Sequence, residues 1–321
     1  MKKRILFGMD IGGTNTVYGL VDENAKLIAH SGFKTNTKPE INAYVKIIAE
    51  QLSAMYNKYS TEYELAGIGV GAPNGNYYTG SIKLPPNIPW IKDLNLVQEL
   101  KKYFDVPIVL TNDANAMAYG EMIFGAAQGA KDIIVITLGT GLGSGIIVNG
   151  KVVYGHEGIA GELGHVCVVP NGRHCACGKD GCLETYASAS GIKRTLFQLI
   201  AEHDGKSVFN TITFEQLTSK MIAEAALQGD PIALEAFEYT GNLLGLALAN
   251  AALVTQPEVV VLSGGLAKAG DLIFKPTIKA FEKYLLPLYR DKIKVIPSTL
   301  KNDSAAIMGA AALVWNEMDN N

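Results

Sequence analysis

The sequence predicts a two-domain α/β protein in which candidate ligand-binding turns from both domains face one cleft. Three observations predict it. The chain has 321 residues, 48% hydrophobic and 18% charged, enough for two ordinary domains with sizeable cores. One pattern occurs twice: a buried strand, a Gly/Thr turn, a strand, a hairpin turn and a strand. In addition, Asn112-Asp113 stands where a strand gives way to a helix.

The elements follow in order. The short apolar run over 4–9 ends at Asp10 and reads as a buried strand, and Gly12-Gly13-Thr14-Asn15 is a turn. Strands are expected at Val17–Val21 and Leu27–Phe33, joined by the polar turn Asp22-Glu23-Asn24. Pro39 is expected to open a helix with Val45, Ile48, Leu52 and Met55 at helical spacing. Leu65–Val70 reads as a strand, Gly71–Gly75 as a loop, about 95–104 as a helix and Pro107–Leu110 as a strand.

The pattern then repeats. Ile133–Leu138 is a buried strand followed by Gly139-Thr140-Gly141-Leu142-Gly143-Ser144-Gly145. Ile146–Val148 and Lys151–Val153 flank Asn149-Gly150, a strong hairpin signal. Residues 155–185, rich in Gly, Cys and His, read as irregular, and 189–254 as mainly helical. Val259–Leu262 is a strand, Ser263-Gly264-Gly265-Leu266 a turn into a helix, and Ile293–Ile296 a strand. A last helix, Ser304–Met318, is capped by Asp303 or Asn302.

Charge and composition exclude several functions. The net charge is −3 and no basic cluster exceeds Lys2-Lys3-Arg4, which argues against nucleic acid as a partner. That start imitates a signal peptide, but its apolar run stops at Asp10. Leu243–Val254, the longest apolar stretch, is too short to span a bilayer. No membrane association is expected, and a cytoplasmic location is.

Asp10-Ile11-Gly12-Gly13-Thr14-Asn15-Thr16 has a phosphate-binding logic. Its glycines let backbone amides approach phosphate oxygens, Thr14 and Thr16 add hydroxyls, and Asp10 can hold a hydrated Mg²⁺. The turn feeds a strand and lacks Gly-Lys-Ser/Thr, so it is neither a P-loop nor a Rossmann turn. Gly139-Thr140-Gly141 supplies a second set of amides. Either turn alone could be a plain hairpin; the pair points to a nucleotide. Asp113 suits a helix N-cap and equally a carboxylate that takes a proton from an attacking hydroxyl.

The four cysteines, Cys167, Cys175, Cys177 and Cys182, fall within 16 residues. In a reducing compartment this density reads as metal ligands before disulfides. Cys175, Cys177 and Cys182 would wrap a zinc ion, with Gly178 and Gly181 permitting the turn. The fourth ligand is open among His165, Cys167, His156 and His174.

These motifs together resemble the ROK family (repressors, open reading frames and kinases) over nearly the whole chain. The matching residues are Asp10-Ile-Gly-Gly-Thr-Asn, Gly71-Ala-Pro, Asn112-Asp-Ala-Asn-Ala and Gly139-Thr-Gly-Leu-Gly-Ser-Gly. Gly161-Glu-Leu-Gly-His165, Cys175-x-Cys-Gly-x-x-Gly-Cys-x-Glu184 and Ser263-Gly-Gly-Leu complete them. The resemblance implies an actin/hexokinase-like (ribonuclease H-like) ATPase fold with an active-site cleft between its domains. These would be 1–116 plus 303–321 and 117–302.

It also implies roles. Asp113 would be the catalytic base. Gly71, Asn87, Asn112, Glu162, His165 and Glu184 would line the sugar site, and His165, Cys175, Cys177 and Cys182 would hold a structural Zn²⁺. Glu162 and Glu184 bracket the zinc segment, so the metal would shape the sugar pocket without touching the phosphate. Gly264 and Gly265 would lie on the adenosine side. The implied reaction is Mg²⁺-dependent phosphorylation of a hexose by ATP at the 6-hydroxyl, glucose first, because Pro85-Pro-Asn-Ile-Pro-Trp90 looks like the glucokinase version. N-acetylmannosamine, N-acetylglucosamine, fructose and allose fit the same scaffold. A homodimer or homotetramer is expected. Family repressors carry a DNA-reading domain ahead of the first turn; only nine residues precede Asp10 here, so a kinase is expected over a repressor or a non-catalytic sensor.

Overall fold

The computed structural model describes residues 2–37, 40–203, 207–300 and 302–319. Its strands are β1 (Lys3–Ile11), β2 (Asn15–Asp22), β3 (Leu27–Lys34), β4 (Tyr63–Ala72), β5 (Gly75–Asn76), β6 (Ser81–Lys83), β7 (Asp93–Asn95), β8 (Ile108–Asn112), β9 (Ile133–Leu138), β10 (Leu142–Val148), β11 (Lys151–Val152), β12 (Val259–Ser263) and β13 (Lys294–Pro297). Its helices are α1 (Ile41–Asn57), α2 (Leu96–Leu100), α3 (Asp113–Phe124), α4 (Ala189–Glu202), α5 (Ser219–Leu227), α6 (Pro231–Thr255), α7 (Asp271–Tyr284) and α8 (Asn302–Asp319). They form two compact units. One comprises Met1–Gly129, Val152–Gly161 and Thr299–Asn321; the other comprises Ala130–Lys151 and Glu162–Ser298.

The repeat read from the sequence becomes two sheets of the same order, β3-β2-β1-β4-β8 and β11-β10-β9-β12-β13. In each, a central strand pairs antiparallel with the strand after its Gly/Thr turn and parallel with a later one. At the hairpin, Asn149 and Gly150 both have positive φ, 51° and 74°, as a two-residue hairpin turn demands.

In the first unit, alternate residues of β1 serve two cores. Ile5, Phe7, Met9 and Ile11 pack with Tyr44, Val45, Ile48 and Leu52 of α1, while Leu6 packs with Ile307, Ala311 and Val314 of α8. Each such fully buried side chain stabilises by about 2 kcal/mol. Helix α8 lies directly on the sheet backbone. A Cβ on Gly8 would stand 1.9 Å from the Ile307 carbonyl oxygen, and one on Gly69 1.8 Å from that of Ala310. Helix α8 in turn seats α3, where Gly120 approaches Gly309. The first residue of α3 is Asp113, so these small-residue contacts set the position of a candidate base.

In the second unit, β9 is central, with Ile133 to Ile136 fully buried. Asp230 caps α6 by accepting from the Ala233 amide at 2.8 Å, and Pro231 opens it. Helix α7 packs against α6 at Gly241 and Gly245, where any side chain would strike Pro276 and the Thr277 carbonyl. Ser188 caps α4 through the Gly191 amide at 2.9 Å.

Three local expectations change. The helix expected over about 95–104 is α-helical only to Leu100; Lys102 and Tyr103 then make tighter bonds to residues three back, which lets Phe104 turn inward. Strands β5, β6 and β7 form a small separate sheet, too short to show any alternation in sequence. The expected helix opener Pro39 lies outside the described residues, as do the side chains of the candidate caps Asn302 and Asp303. No helix among the described residues is long and apolar enough to cross a membrane.

Candidate active site and metal centre

The parallel strands of the first unit end together. Asp10, Gly71 and Thr111 are neighbours across β1, β4 and β8. Ligands of open α/β sheets collect at such carboxyl ends. Asn112 is the N-cap of α3, its Oδ1 accepting from the Ala114 amide at 2.8 Å. Asp113 Oδ1 accepts from the same amide, also at 2.8 Å. The capping position thus falls to Asn112, and the Asp113 carboxylate stands on the first turn of α3, exposed. Gly71 is the spacer between the two carboxylates. A Cβ there would lie 3.4 Å from Asp113 Cα and 3.5 Å from Asp10 Oδ1.

Burial, and then the charge of Asp113, push Asp10 up to about 7. Burial among surrounding protein raises Asp113 as well, opposed by the amides of Ala114 and of Asp113 itself. Water at its exposed surface tempers that effect. Two facing carboxylates, one held partly protonated, make a place that a divalent cation would relieve, which fits a phosphate-bound Mg²⁺ at Asp10.

The raised pKa has a stability consequence. From about pH 4 to about pH 7, unfolded Asp10 is ionised while the folded carboxyl keeps its proton, so stability falls as pH rises and the full cost remains above about 7. Asp10→Asn should therefore unfold at higher denaturant than the parent at about pH 8, by about 1–2 kcal/mol after solvent screening, with little gain at about pH 4. The measurement is urea unfolding without Mg²⁺ or nucleotide; an equal midpoint at the higher pH rejects the account.

The first Gly/Thr turn is braced from behind. The Gly12 amide donates to the Asn15 carbonyl at 2.9 Å, and the Thr35 amide to that of Thr14 at 3.0 Å. The Thr35 hydroxyl donates to the Gly12 carbonyl at 2.7 Å, and Asn36 Nδ2 to that of Gly13 at 2.7 Å. Thr14 and Asn15 are exposed. Thr16 departs from expectation. It is fully buried, its Oγ1 3.0 Å from Thr35 Oγ1 and 2.7 Å from the Tyr44 hydroxyl, so it struts the turn from beneath and has no hydroxyl to offer phosphate. Thr35 spends its one proton on Gly12, so the relay runs Tyr44 to Thr16 to Thr35 to the turn. Asn87 is exposed and packs on this turn: a Cβ on Gly13 would stand 2.6 Å from Asn87 Cβ. Thr35, Asn36 and Tyr44 carry no motif and escape sequence reading.

The second unit gathers its own set. The Gly139 amide closes its turn on the Gly141 carbonyl at 3.0 Å, and the Gly139 carbonyl accepts from the Ala189 amide at the start of α4, at 2.8 Å. Thr140 is exposed. Gly264, at φ 93°, approaches so closely that a Cβ would lie 2.6 Å from the Leu138 carbonyl oxygen; Gly265 beside it is open. Glu184 Oε2 accepts from the Leu142 amide at 2.9 Å, and any side chain on Gly141 would strike it. Glu184 thus supports the second turn directly. Glu162 is exposed just before the turn Leu163–His165, whose Leu163 amide donates to Ser144 Oγ at 2.9 Å.

The ligand atoms of His165, Cys175, Cys177 and Cys182 lie within 4.8 Å of one another. Cys177 Sγ is 3.6 Å from Cys182 Sγ, and Cys175 Sγ is 3.7 Å from His165 Nδ1. A tetrahedral zinc with these donors sets its ligand atoms about 3.6–3.8 Å apart, so the set fits the ion. Nδ1 is the histidine nitrogen on the cluster side. Cys167 is exposed and pairs with Cys182 across an isolated bridge, outside the four. His174 instead pairs with Asp180 at 3.0 Å. Gly181, at φ 74°, is required: a Cβ would stand 1.8 Å from the Val169 carbonyl oxygen. Arg173 ties the loop down. Its guanidinium lies 4.4 Å over Tyr186 and donates to the carbonyls of Thr185 and Gly191. Glu184, two residues past Cys182, holds the start of β10 just after the second Gly/Thr turn, so the segment expected to shape the sugar pocket also supports that turn.

The chain is similar to known proteins over nearly its whole length. A model of the ROK family matches residues 6–317. A glucokinase of Halalkalibacterium halodurans is 37% identical over 313 residues, 96% of this chain and 94% of its own. The DNA-binding transcriptional dual regulator NagC of Escherichia coli is 30% identical over 317 residues, 98% of this chain and 76% of its own. The crystal structure of a ROK family glucokinase from Streptomyces griseus, in complex with glucose and AMPPNP, superposes with a TM-score of 0.77 at 33% identity. That match covers 97% of this chain and 99% of the other. The paired sheets are those of the actin-like sugar kinases, and the chain belongs to the ROK family.

Proposed function

We propose that this protein is an ATP-dependent sugar kinase that phosphorylates the 6-hydroxyl of a hexose, glucose foremost, with Asp113 as general base. One observation carries the reading: Asp113 stands exposed where β8 enters α3, beside Asp10 and across Gly71 from it. A hydroxyl attacking phosphorus must lose its proton, and a carboxylate raised above its ordinary pKa is a competent acceptor. Asn112 and Asn87 hold and orient neighbouring hydroxyls in this reading, as do Glu162, His165 and Glu184. In the Gly12–Asn15 and Gly139–Gly141 turns the amides of Gly12 and Gly139 are spent on the turns themselves, so the expected phosphate contacts fall to the other amides of each turn, and Gly264-Gly265 lies on the adenosine side. Bound at Asp10 with the nucleotide, Mg²⁺ would spread the charge of the transferring phosphoryl group. Zinc at His165, Cys175, Cys177 and Cys182 would fix His165 by Nδ1 and leave Nε2 for a sugar hydroxyl.

The test is ADP formation from ATP in a coupled assay across glucose, fructose, allose, N-acetylglucosamine and N-acetylmannosamine. Glucose should give the highest kcat/KM. A higher value for an N-acetylhexosamine would move the substrate assignment. Sugar binding with no ADP from any of them would favour a sensor, the role closest to the regulator relative.

A further inference from the structure

We propose that Asn36 is a positioning residue that ties the sugar-contacting segment to the first phosphate turn, so that each ligand senses the other through it. The inference rests on the sugar-kinase reading above. Asn36 lies in the turn Thr35–Thr37 that follows β3. Its Nδ2 donates to the Gly13 carbonyl at 2.7 Å, and its Oδ1 accepts from the Trp90 indole N–H at 3.1 Å. A carbonyl only accepts and an indole N–H only donates, and the amide side chain of Asn36 supplies a separate donor and acceptor, one for each end. Aspartate would keep the Trp90 bond but set a charge against the Gly13 carbonyl.

Both ends are themselves fixed. Trp90 stands edge-on to Tyr44, ring centroids 5.1 Å apart, and Tyr44 heads the hydroxyl relay to Gly12. Asn87, three residues before Trp90, packs on Gly13, where a Cβ would lie 2.8 Å from the Asn87 carbonyl oxygen. Gly13 is therefore held to this segment twice, by direct contact and through Asn36. A phosphate bound on the turn amides bears on Asn87, and a sugar held by Asn87 bears on the turn. Asn36 is exposed, so its two bonds fill no core, and its replacement should leave stability nearly unchanged.

The experiment is calorimetric titration of glucose into the protein with and without saturating AMPPNP. The ratio of the two dissociation constants is the coupling between the ligands, and it is the same titrated from either side. The parent should bind glucose more tightly with AMPPNP present. Asn36→Ala should cut that ratio by about three- to tenfold, the size that one or two neutral hydrogen bonds carry. Asn36→Asp should lose as much while keeping its Trp90 partner, and Asn36→Gln should recover part. Melting temperatures verify the fold, and Asn36→Asp carries the test if the alanine variant is unstable. A ratio of one in the parent, or an undiminished ratio in the variants, overturns the role of Asn36 alone. A parent that binds neither glucose nor AMPPNP overturns the sugar-kinase reading with it.

Discussion

Asp113→Asn should yield a folded protein that binds glucose and barely turns it over. Its kcat should fall by about 100- to 10,000-fold, the range that a positioned proton acceptor contributes. Asparagine is the informative replacement because its side-chain oxygen can still accept from the Ala114 amide, as Asp113 Oδ1 does at 2.8 Å. The start of α3 and the cap at Asn112 then stay in place, and the loss reports chemistry rather than a frayed helix. The glucose KM should change little, since Asn112, Asn87 and the groups of the second unit remain. The pH dependence makes the test sharper. Burial raises the Asp113 pKa, so below that value the carboxyl holds a proton and cannot take another. The kcat/KM of the parent should climb with pH through that raised pKa and then level off, and the climb should be missing from the residual rate of the variant. Glucose-dependent ADP release followed across the acidic and neutral range reads both effects. A variant within about tenfold of the parent would assign the base elsewhere.

How far the amino-acid sequence discloses the fold and the site follows from what each residue depends on. The two sheets are legible in it because their central strands, 4–9 and Ile133–Leu138, are apolar runs ended by Gly/Thr turns, a pattern local in sequence. Asp113 is legible as a residue but ambiguous as a role. Its carboxylate shares the Ala114 amide with Asn112, and only the register Asp10–Gly71–Thr111 sets it beside a second acid. Thr16 misleads a sequence reading because strand β2 begins at Asn15, and the pleat turns Thr16 inward to Tyr44. No local signal marks that direction. Asn36 is invisible for the same reason: its partners, Gly13 and Trp90, lie 23 and 54 positions away. Side chains that act on the local backbone can be read from sequence, while those that act across long separations cannot.

The other large effect concerns the zinc segment. Purified protein should carry stoichiometric zinc, and Cys177→Ser should lose it. Cys167→Ser should keep it, because Cys167 lies outside the four converging donors despite being the nearest cysteine to His165 in sequence. Without the ion, burial holds Cys175 up and Cys182 up to about 12, so both are thiols at neutral pH. Zinc must displace those protons. Its addition to stripped protein should acidify a weakly buffered solution, and its apparent affinity should fall as pH is lowered. The kinetic consequence separates two views of the segment. If the metal served the sugar side alone, only the sugar KM would rise in Cys177→Ser. Glu184 argues otherwise. It follows Cys182 by two residues, its Oε2 holds the Leu142 amide, and its backbone carbonyl accepts from Ser188, which caps α4 against the Gly139 turn. Loosening the loop should therefore release the second Gly/Thr turn too. The KM values for glucose and for ATP should rise together, each by about tenfold, the order seen when the support around a metal site is broken. A rise confined to glucose would mean that Arg173, stacked on Tyr186 and bonded to α4 and the Thr185 carbonyl, is enough to hold Glu184 in place without the ion.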